Sequence, residues 1–488
     1  MNKTIFALPL LAVSFLLYIN ADSTLASNSK LHSARELYPS GQHSAGQSKQ
    51  RNSFDHPSPL LDMETKLDFK IGRAIFEKIW VFAPSSTTAS DGLGPLYNAR
   101  SCSRCHEKNG RGILKEEGKT SPALFLRLST PAKTAEQKRA LESGLIGLIP
   151  EPTYGTQLQT FAYPGGQAEA QLRVSYTEQK IQLSEGEMVS LRKPDYQIIA
   201  PQYGPMDEDL MISPRISSPM IGLGLIEAIN EQDILSKTDP DDSNQDGISG
   251  KPNWVWDQQK QAPALGRFGW KAGTPNLRQQ NASAFKGDLG ISTPLFPQHW
   301  GDCTPSQTSC RKQAHGNRTR QAPDINHMEA PKAMTDALLL YTRNIAVPIR
   351  KIDNAEMVNK GKAVFHSAGC AACHTPSYQT SGHTEQTSLN MQTIWPYTDL
   401  LLHDMGLGLA DNRPEFKANG QEWRTAPLWG LGSDKYVNGS HFLLHDGRAR
   451  SILEAIMWHG GEAESAKQAV QTMPQEQRAQ LLTFLESL

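Results

Sequence analysis

The pattern Cys-x-x-Cys-His occurs twice, as Cys102-Ser103-Arg104-Cys105-His106 and as Cys370-Ala371-Ala372-Cys373-His374. Two thiols at this spacing sit one helical turn apart and can add across the two vinyl groups of one porphyrin, which places the next residue, His, under the iron as proximal ligand. The chain is therefore expected to carry two covalent haem c groups, on Cys102, Cys105 and His106 and on Cys370, Cys373 and His374. A single zinc ion held by the four cysteines is the competing arrangement, but it gives no reason for a His directly after both pairs.

A haem with two strong axial ligands moves electrons, whereas one with an open or weak sixth position binds peroxide or oxygen. The sixth ligands therefore decide the chemistry. For the second haem the sequence points to His459. Ser451 and Glu454 have the spacing of a capping box, and Gly460 and Gly461 suit a helix stop. Ile452, Ala455, Ile456 and His459 fall on one helix face, so the apolar stripe ends in an imidazole; a packed core histidine is the alternative reading. For the first haem His299, His315, His327, Met220 and Met328 are candidates and none stands out. His403 and His445 suit propionate or channel positions, or plain turns. Trp270 suits a relay between the haems, or a core aromatic.

Asp242, Asn244 and Asp246 place oxygens at alternate positions before Gly247, as at the start of a calcium loop. The twelfth position from Asp242 is Asn253, not the Glu of an EF-hand, and an Asx-rich turn is the alternative. Ca2+ is the cation such a loop would take.

These residues need elements to hold them. Gly72 and Phe76 lie four apart before the first motif, and Gly361 and Phe365 before the second. Leu338, Leu339 and Tyr341 match Leu481, Leu482 and Phe484 at a constant offset of 143 residues. In small cytochromes c an opening and a closing helix cross beside the haem, with Gly allowing close approach and an aromatic filling the crossing. The sequence thus predicts a mainly α protein of two cytochrome c-like domains, 60–348 and 349–488. The first is enlarged by loops and a small antiparallel β insertion, where Leu172, Val174 and Tyr176, then Ile181 with Leu183, and Val189 with Leu191 alternate around Gly186. The 38 Gly and 31 Pro suit long irregular connections.

Lys3 precedes an apolar run from Ile5 to Ile19, which suits a signal peptide of residues 1–26 better than a membrane span. The protein is therefore expected to be periplasmic, with no stable membrane insertion. Residues 27–59 are polar and predict a disordered leader. In an oxidising compartment Cys303 and Cys310 are expected to pair. The net charge is −1, with no strong charge run, which argues against nucleic acid as a partner.

From about Gly72 to the C-terminus the chain resembles bacterial di-haem oxidoreductases related to the di-haem cytochrome c peroxidases, also labelled thiol oxidoreductases. The resemblance rests on Tyr97 to Cys102, Ile221 to Ile229, Asp239 to Gly250, Phe268 to Ala272, Asp399 to Gly406 and His445 to Ala449. It implies reduction of hydrogen peroxide or another small oxidant at the N-terminal haem. Electrons would enter through the C-terminal haem from a small cytochrome c or cupredoxin. It also offers Glu227 as an acid–base group for O–O cleavage; a salt-bridged or helix-capping Glu is the favoured alternative. A methionine ligates the electron-transfer haem of the peroxidases, where this chain aligns His459, and a bis-His iron has a lower potential. A non-enzymatic di-haem electron carrier, or an oxidase of an organic or protein substrate acting through high-valent iron, are the alternatives. Thiol chemistry is disfavoured, because haem attachment consumes the four thiols.

Overall fold

The computed structural model describes residues 34–87, 89–115, 121–316 and 328–488. The expected signal peptide, residues 1–26, lies outside them, as does His327. Among the described residues no helix is long and apolar enough to cross a membrane. Helices and irregular segments dominate, accompanied by antiparallel two-stranded sheets.

One helix crossing is built twice. The helix Met63–Glu77 starts where the Asp62 carboxylate accepts from Thr65 N at 2.7 Å, and it buries Phe69, Gly72 and Phe76 on one stripe. It lies across the helix Lys332–Arg343 at Gly72, where an added Cβ would come 2.2 Å from the carbonyl oxygen of Ala337. Phe76 then meets Tyr341 with ring centroids 5.3 Å apart. In the second half the helix Ala355–Ser367, capped by Asn354, crosses Gln475–Leu485. A Cβ on Gly361 would come 1.9 Å from the carbonyl oxygen of Gln480, and Phe365 meets Phe484 at 5.3 Å. Ala337 and Gln480, like Tyr341 and Phe484, differ by 143 positions, the offset read in the sequence. The glycine is required because backbone touches backbone there.

The β insertion is a hairpin of Gln171–Gln182 with Met188–Ile199, paired over twelve residues and turned through Glu185 and Gly186 at positive φ. Its tip belongs to the other half. Leu183, Val189 and Leu191 are buried in the C-terminal hydrophobic core. Arg192 N donates to Glu454 Oε1 at 2.7 Å, Arg478 pairs with Glu187 at 2.9 Å, and Arg450 with Glu178 at 2.7 Å. A shorter sheet, Leu124–Ser129 with Met211–Ile216, stands beneath it. The N-terminal core in turn takes in Tyr378, Leu400, Leu401, Trp429 and Val437 from beyond residue 348. The two halves are thus laced together, each burying apolar side chains of the other.

The expected disordered leader is corrected for residues 34–59, which are packed in place. Phe54 is fully buried in the N-terminal core. Ser48 N donates to Ile349 O at 2.9 Å and Ser58 N to Asn344 O at 2.9 Å. Tyr397 OH and Lys362 Nζ both reach Glu36 Oε1, at 2.8 and 2.7 Å. Polar composition suggested disorder, but the polar groups find partners hundreds of residues away and one aromatic anchors the segment.

Candidate functional site

Each Cys-x-x-Cys-His motif forms a tight turn; the second follows its opening helix directly, and the first returns to its own, where Ser101 Oγ donates to Phe76 O at 3.3 Å. Cys102–Arg104 and Cys370–Ala372 are single 3-10 turns. His106 N donates to Cys102 O at 3.1 Å and His374 N to Cys370 O at 3.0 Å. Both imidazoles are fixed alike from behind, His106 Nδ1 by Ser218 O at 2.8 Å and His374 Nδ1 by Tyr397 O at 2.9 Å. A carbonyl takes the Nδ1 proton, so Nε2 keeps the lone pair that an axial ligand needs. Burial pushes both imidazoles down to about 4, which keeps them neutral at pH 7. The same burial raises the thiols, Cys102 to about 12 and Cys370 to about 11.

In front of His106 opens a cavity of about 380 Å³, lined by Cys102, Cys105, Met220, Trp270, Asp288 and several arginines. The arginines divide by partner. Arg111 pairs with Asp434 at 3.0 Å. Arg215 and Arg413 pair with Glu415 at 3.3 and 2.9 Å; burial works against that carboxylate, but the cations hold it at about 2. Arg267 and Arg424 are different. Arg267 donates to the carbonyls of Ile226 and Ile229, at 3.2 and 2.7 Å. Arg424 donates to those of Gly269 and Thr425, each at 2.9 Å, and burial pushes it down to about 10 against the pull of the Asp399 carboxylate. Cations at the cavity edge whose hydrogen bonds go to carbonyls suit an anion from a bound group. The propionates of a haem are such anions, and the paired thiols and neutral imidazole supply the rest of its cradle.

The second site has two imidazoles. Ser451 Oγ accepts from Glu454 N at 3.0 Å at the start of the helix Ile452–Met457, which ends one turn before Gly460. His459, just past that end, has Nδ1 held by Ala455 O at 2.8 Å, so it too presents Nε2. It lies near enough to His374 to lower that ring's pKa further, after burial. His403 stands beside Cys373, 3.6 Å from its sulfur, and is clamped between Asp399 at 2.8 Å and Glu462 at 2.6 Å. Burial alone would lower its pKa, but the hydrogen bonds to Asp399, Cys373 and Glu462 outweigh it and keep the ring protonated. His445 stacks on Trp423 at 3.7 Å and burial pushes it down to about 3.

A family model described as "Di-haem oxidoreductase, putative peroxidase" matches residues 40–488. The chain belongs to that family. Two haems and oxidoreductase chemistry follow from membership. No curated protein sequence matches the chain. Among solved structures, the hydrazine synthase of Kuenenia stuttgartiensis, pressurised with xenon, is similar over 53% of this chain and 88% of its own, at 13% identity and a TM-score of 0.22.

The remaining sequence candidates fall differently. Glu227 does not line the cavity. Its Oε2 pairs with Arg343 at 2.6 Å and its Oε1 accepts from Leu277 N at 2.8 Å. Of the two readings of Glu227, the structure places it in the second: ion-paired to Arg343, it braces the start of the helix Leu277–Ala284 that forms the cavity wall. That helix runs on into a π-helical turn, Phe285–Leu289, which carries Asp288 into the cavity. Gln157 Nε2 holds Asp288 Oδ1 at 2.8 Å, and burial raises the carboxyl pKa. No sequence motif marks Asp288. Of the sixth-ligand candidates, Met220 lines the cavity, two residues after the carbonyl that holds His106. His299 and His315 are drawn instead to Glu329. Trp270 donates Nε1–H to Ile216 O at 2.7 Å, borders the cavity and packs against the C-terminal core.

In the acidic loop, Asp242 accepts from Gly247 N at 3.1 Å, Asn244 from Asp246 N at 2.9 Å and Asp246 from Ile248 N at 2.9 Å. The last two are Asx turns, and the first closes the loop across five residues. The base of the loop docks on the second site, where Ser249 Oγ donates to Glu462 at 2.6 Å. Cys303 and Cys310 are joined in a disulfide.

Proposed function

We propose that the protein is a periplasmic di-haem c-type enzyme that reduces hydrogen peroxide at the N-terminal haem, with electrons entering through the C-terminal haem. The haems would be thioether-linked to Cys102 and Cys105 and to Cys370 and Cys373, with His106 and His374 as proximal ligands. Each would lie beside one of the two helix crossings, making two cytochrome c-like domains, nominally 60–348 and 349–488. The observation that carries the reading is the asymmetry of the two sites. One imidazole faces a cavity with a carboxyl in it; the other has a second imidazole, His459, beside it.

When bound, a haem on Cys102, Cys105 and His106 would supply the iron chemistry for peroxide, and one on Cys370, Cys373 and His374 would store an electron. The protein's part is the protons. Reduction of one peroxide to two waters takes two electrons and two protons. Asp288, raised by burial and held through Oδ1 by Gln157, can carry a proton on Oδ2 into the cavity. Glu227 keeps its wall in register. Trp270 lies where an electron between the halves would pass, and a small cytochrome c or cupredoxin is the proposed donor. Asp242, Asn244 and Asp246 are proposed to hold Ca2+, steadying the loop whose base meets Glu462 and so His403. A chelator should then lower the melting temperature.

The test is stopped-flow oxidation of a reduced small redox protein by peroxide, alongside EPR of the resting enzyme. Peroxide-dependent turnover with one high-spin or readily ligated haem supports the reading. Two purely low-spin haems without turnover would make the protein an electron carrier.

A further inference from the structure

Away from both haem sites, three side chains have the donor set of a metal centre. His299, His315 and Glu329 each bring a ligand atom within 4.8 Å of the others. The two imidazoles lie parallel, with centroids 4.3 Å apart and planes 7° apart. Both turn Nδ1 toward one carboxylate. His299 Nδ1 is 3.3 Å from Glu329 Oε2, and His315 Nδ1 is 4.0 Å from Glu329 Oε1. The Glu329 side chain has no solvent exposure.

Its two oxygens are treated differently. Oε2 accepts from Ser292 N at 3.1 Å and from Ser292 Oγ. Oε1 is buried with no hydrogen-bond partner among the described residues. A buried carboxylate oxygen left bare is unfavourable and calls for a ligand. Two imidazoles and this carboxylate face one another, and one cation between them would satisfy all three. Donors about 2.0–2.2 Å from a tetrahedral zinc lie about 3.3–3.6 Å apart; one pair already lies at 3.3 Å, and the others, at 4.0 Å and within 4.8 Å, would close on the ion as the stacked rings splay.

The surroundings fix the three ligands. Gly92 packs on the Glu329 stem, where a Cβ would come 2.3 Å from Cγ. The disulfide Cys303–Cys310 ties the loop between the two histidines. Ser292, which orients Glu329 as the outer-shell partner of a ligand does, follows Asp288 by four residues.

We propose that His299, His315 and Glu329 bind one divalent first-row transition ion, most simply zinc, with a water completing the tetrahedron. The ion pins the disulfide-closed loop to the segment that leaves the haem cavity wall. It is a third metal site, independent of the peroxide reading.

The full-length, haem-loaded protein is stripped with a chelator, which leaves covalent haem in place, and titrated with zinc calorimetrically. One zinc per chain is expected. Zinc X-ray absorption should show an N/O shell with scattering from two imidazoles. His299→Gln and Glu329→Gln should each weaken binding at least about tenfold, with haem content and absorption unchanged, while His383→Gln changes nothing. No stoichiometric zinc on the wild type, a shell without imidazole, or undiminished affinity in both variants (an adventitious ion only) would overturn the site.

Discussion

The two halves share a helix crossing down to the atoms in contact, yet they differ in what faces the proximal histidine. Gly72 against Ala337 and Gly361 against Gln480 are the same joint. Ser218 O and Tyr397 O hold His106 and His374 in the same way. Beyond that joint the first half places a cavity lined by Asp288 and arginines, whereas the second places His459. One joint thus carries two different surroundings opposite a similarly fixed imidazole, a cavity in the first half and a second imidazole in the other. Insertions supply that difference: the cavity wall of the first half, Leu277 to Leu289, has no counterpart in the shorter second half.

The largest expected effect removes one side of the comparison. Cys105→Ser and Cys373→Ser should each impair one covalent attachment, so mass spectrometry should find one haem addition fewer, and haem-stained denaturing gels weaker colour. A chain that keeps both haems after either change would break the assignment.

Next comes the proton carrier. Asp288→Asn preserves the shape that Gln157 holds and should lower kcat by about 10²–10⁴-fold without altering haem content. Its pKa is raised by burial, so the protonated form persists to higher pH than for a free carboxyl. Turnover that needs that proton should be full at low pH and fall as pH rises through the raised pKa; Asp288→Asn should flatten this limb. Glu227→Gln is the counter-test. It should leave the pH profile alone and cost about 0.5–2 kcal/mol of stability, the scale of a lost helix cap. A flattened profile in Glu227→Gln instead would return the acid–base role to Glu227.

The smallest effect tests the shared joint. Gly72→Ala and Gly361→Ala should each destabilise by about 1–3 kcal/mol, because a methyl group must displace facing backbone. Thermal unfolding followed at each haem's own absorption would show whether the two joints are equally tight. An unchanged melting temperature in either variant would mean that the helices can part there freely.

Much of this was legible because it is local or strictly periodic. The two motifs, the Gly–Phe pairs, the 143-residue offset and the alternation around Gly186 all lie within a few residues of one another or repeat at one interval. What was not legible is long-range. The hairpin was expected within the first half, but its Leu183 and Leu191 lie in the core of the second. Residues 34–59 look disordered by composition and are ordered through Ile349, Asn344 and Tyr397. Glu227 stands in an apolar stretch, and the groups that take both its oxygens, Leu277 N and Arg343, lie 50 and 116 positions away. Asp288 and Arg424 carry no motif; only the cavity reveals them. Glu329 gathers His299 and His315 from up to thirty positions away, and no spacing announces that.

The central claim is that the two irons differ because His459 closes one site. EPR of the oxidised protein and of His459→Gly, with both haem potentials measured, tests it most directly. The account predicts that the wild type shows a low-spin signal from the second haem. In His459→Gly that signal should give way to a high-spin one, or to one restored by added imidazole, while the first haem's signal changes little. His459→Met should raise the second potential alone. If His459→Gly leaves both spectra and both potentials unaltered, His459 is a core histidine and the asymmetry must be sought elsewhere.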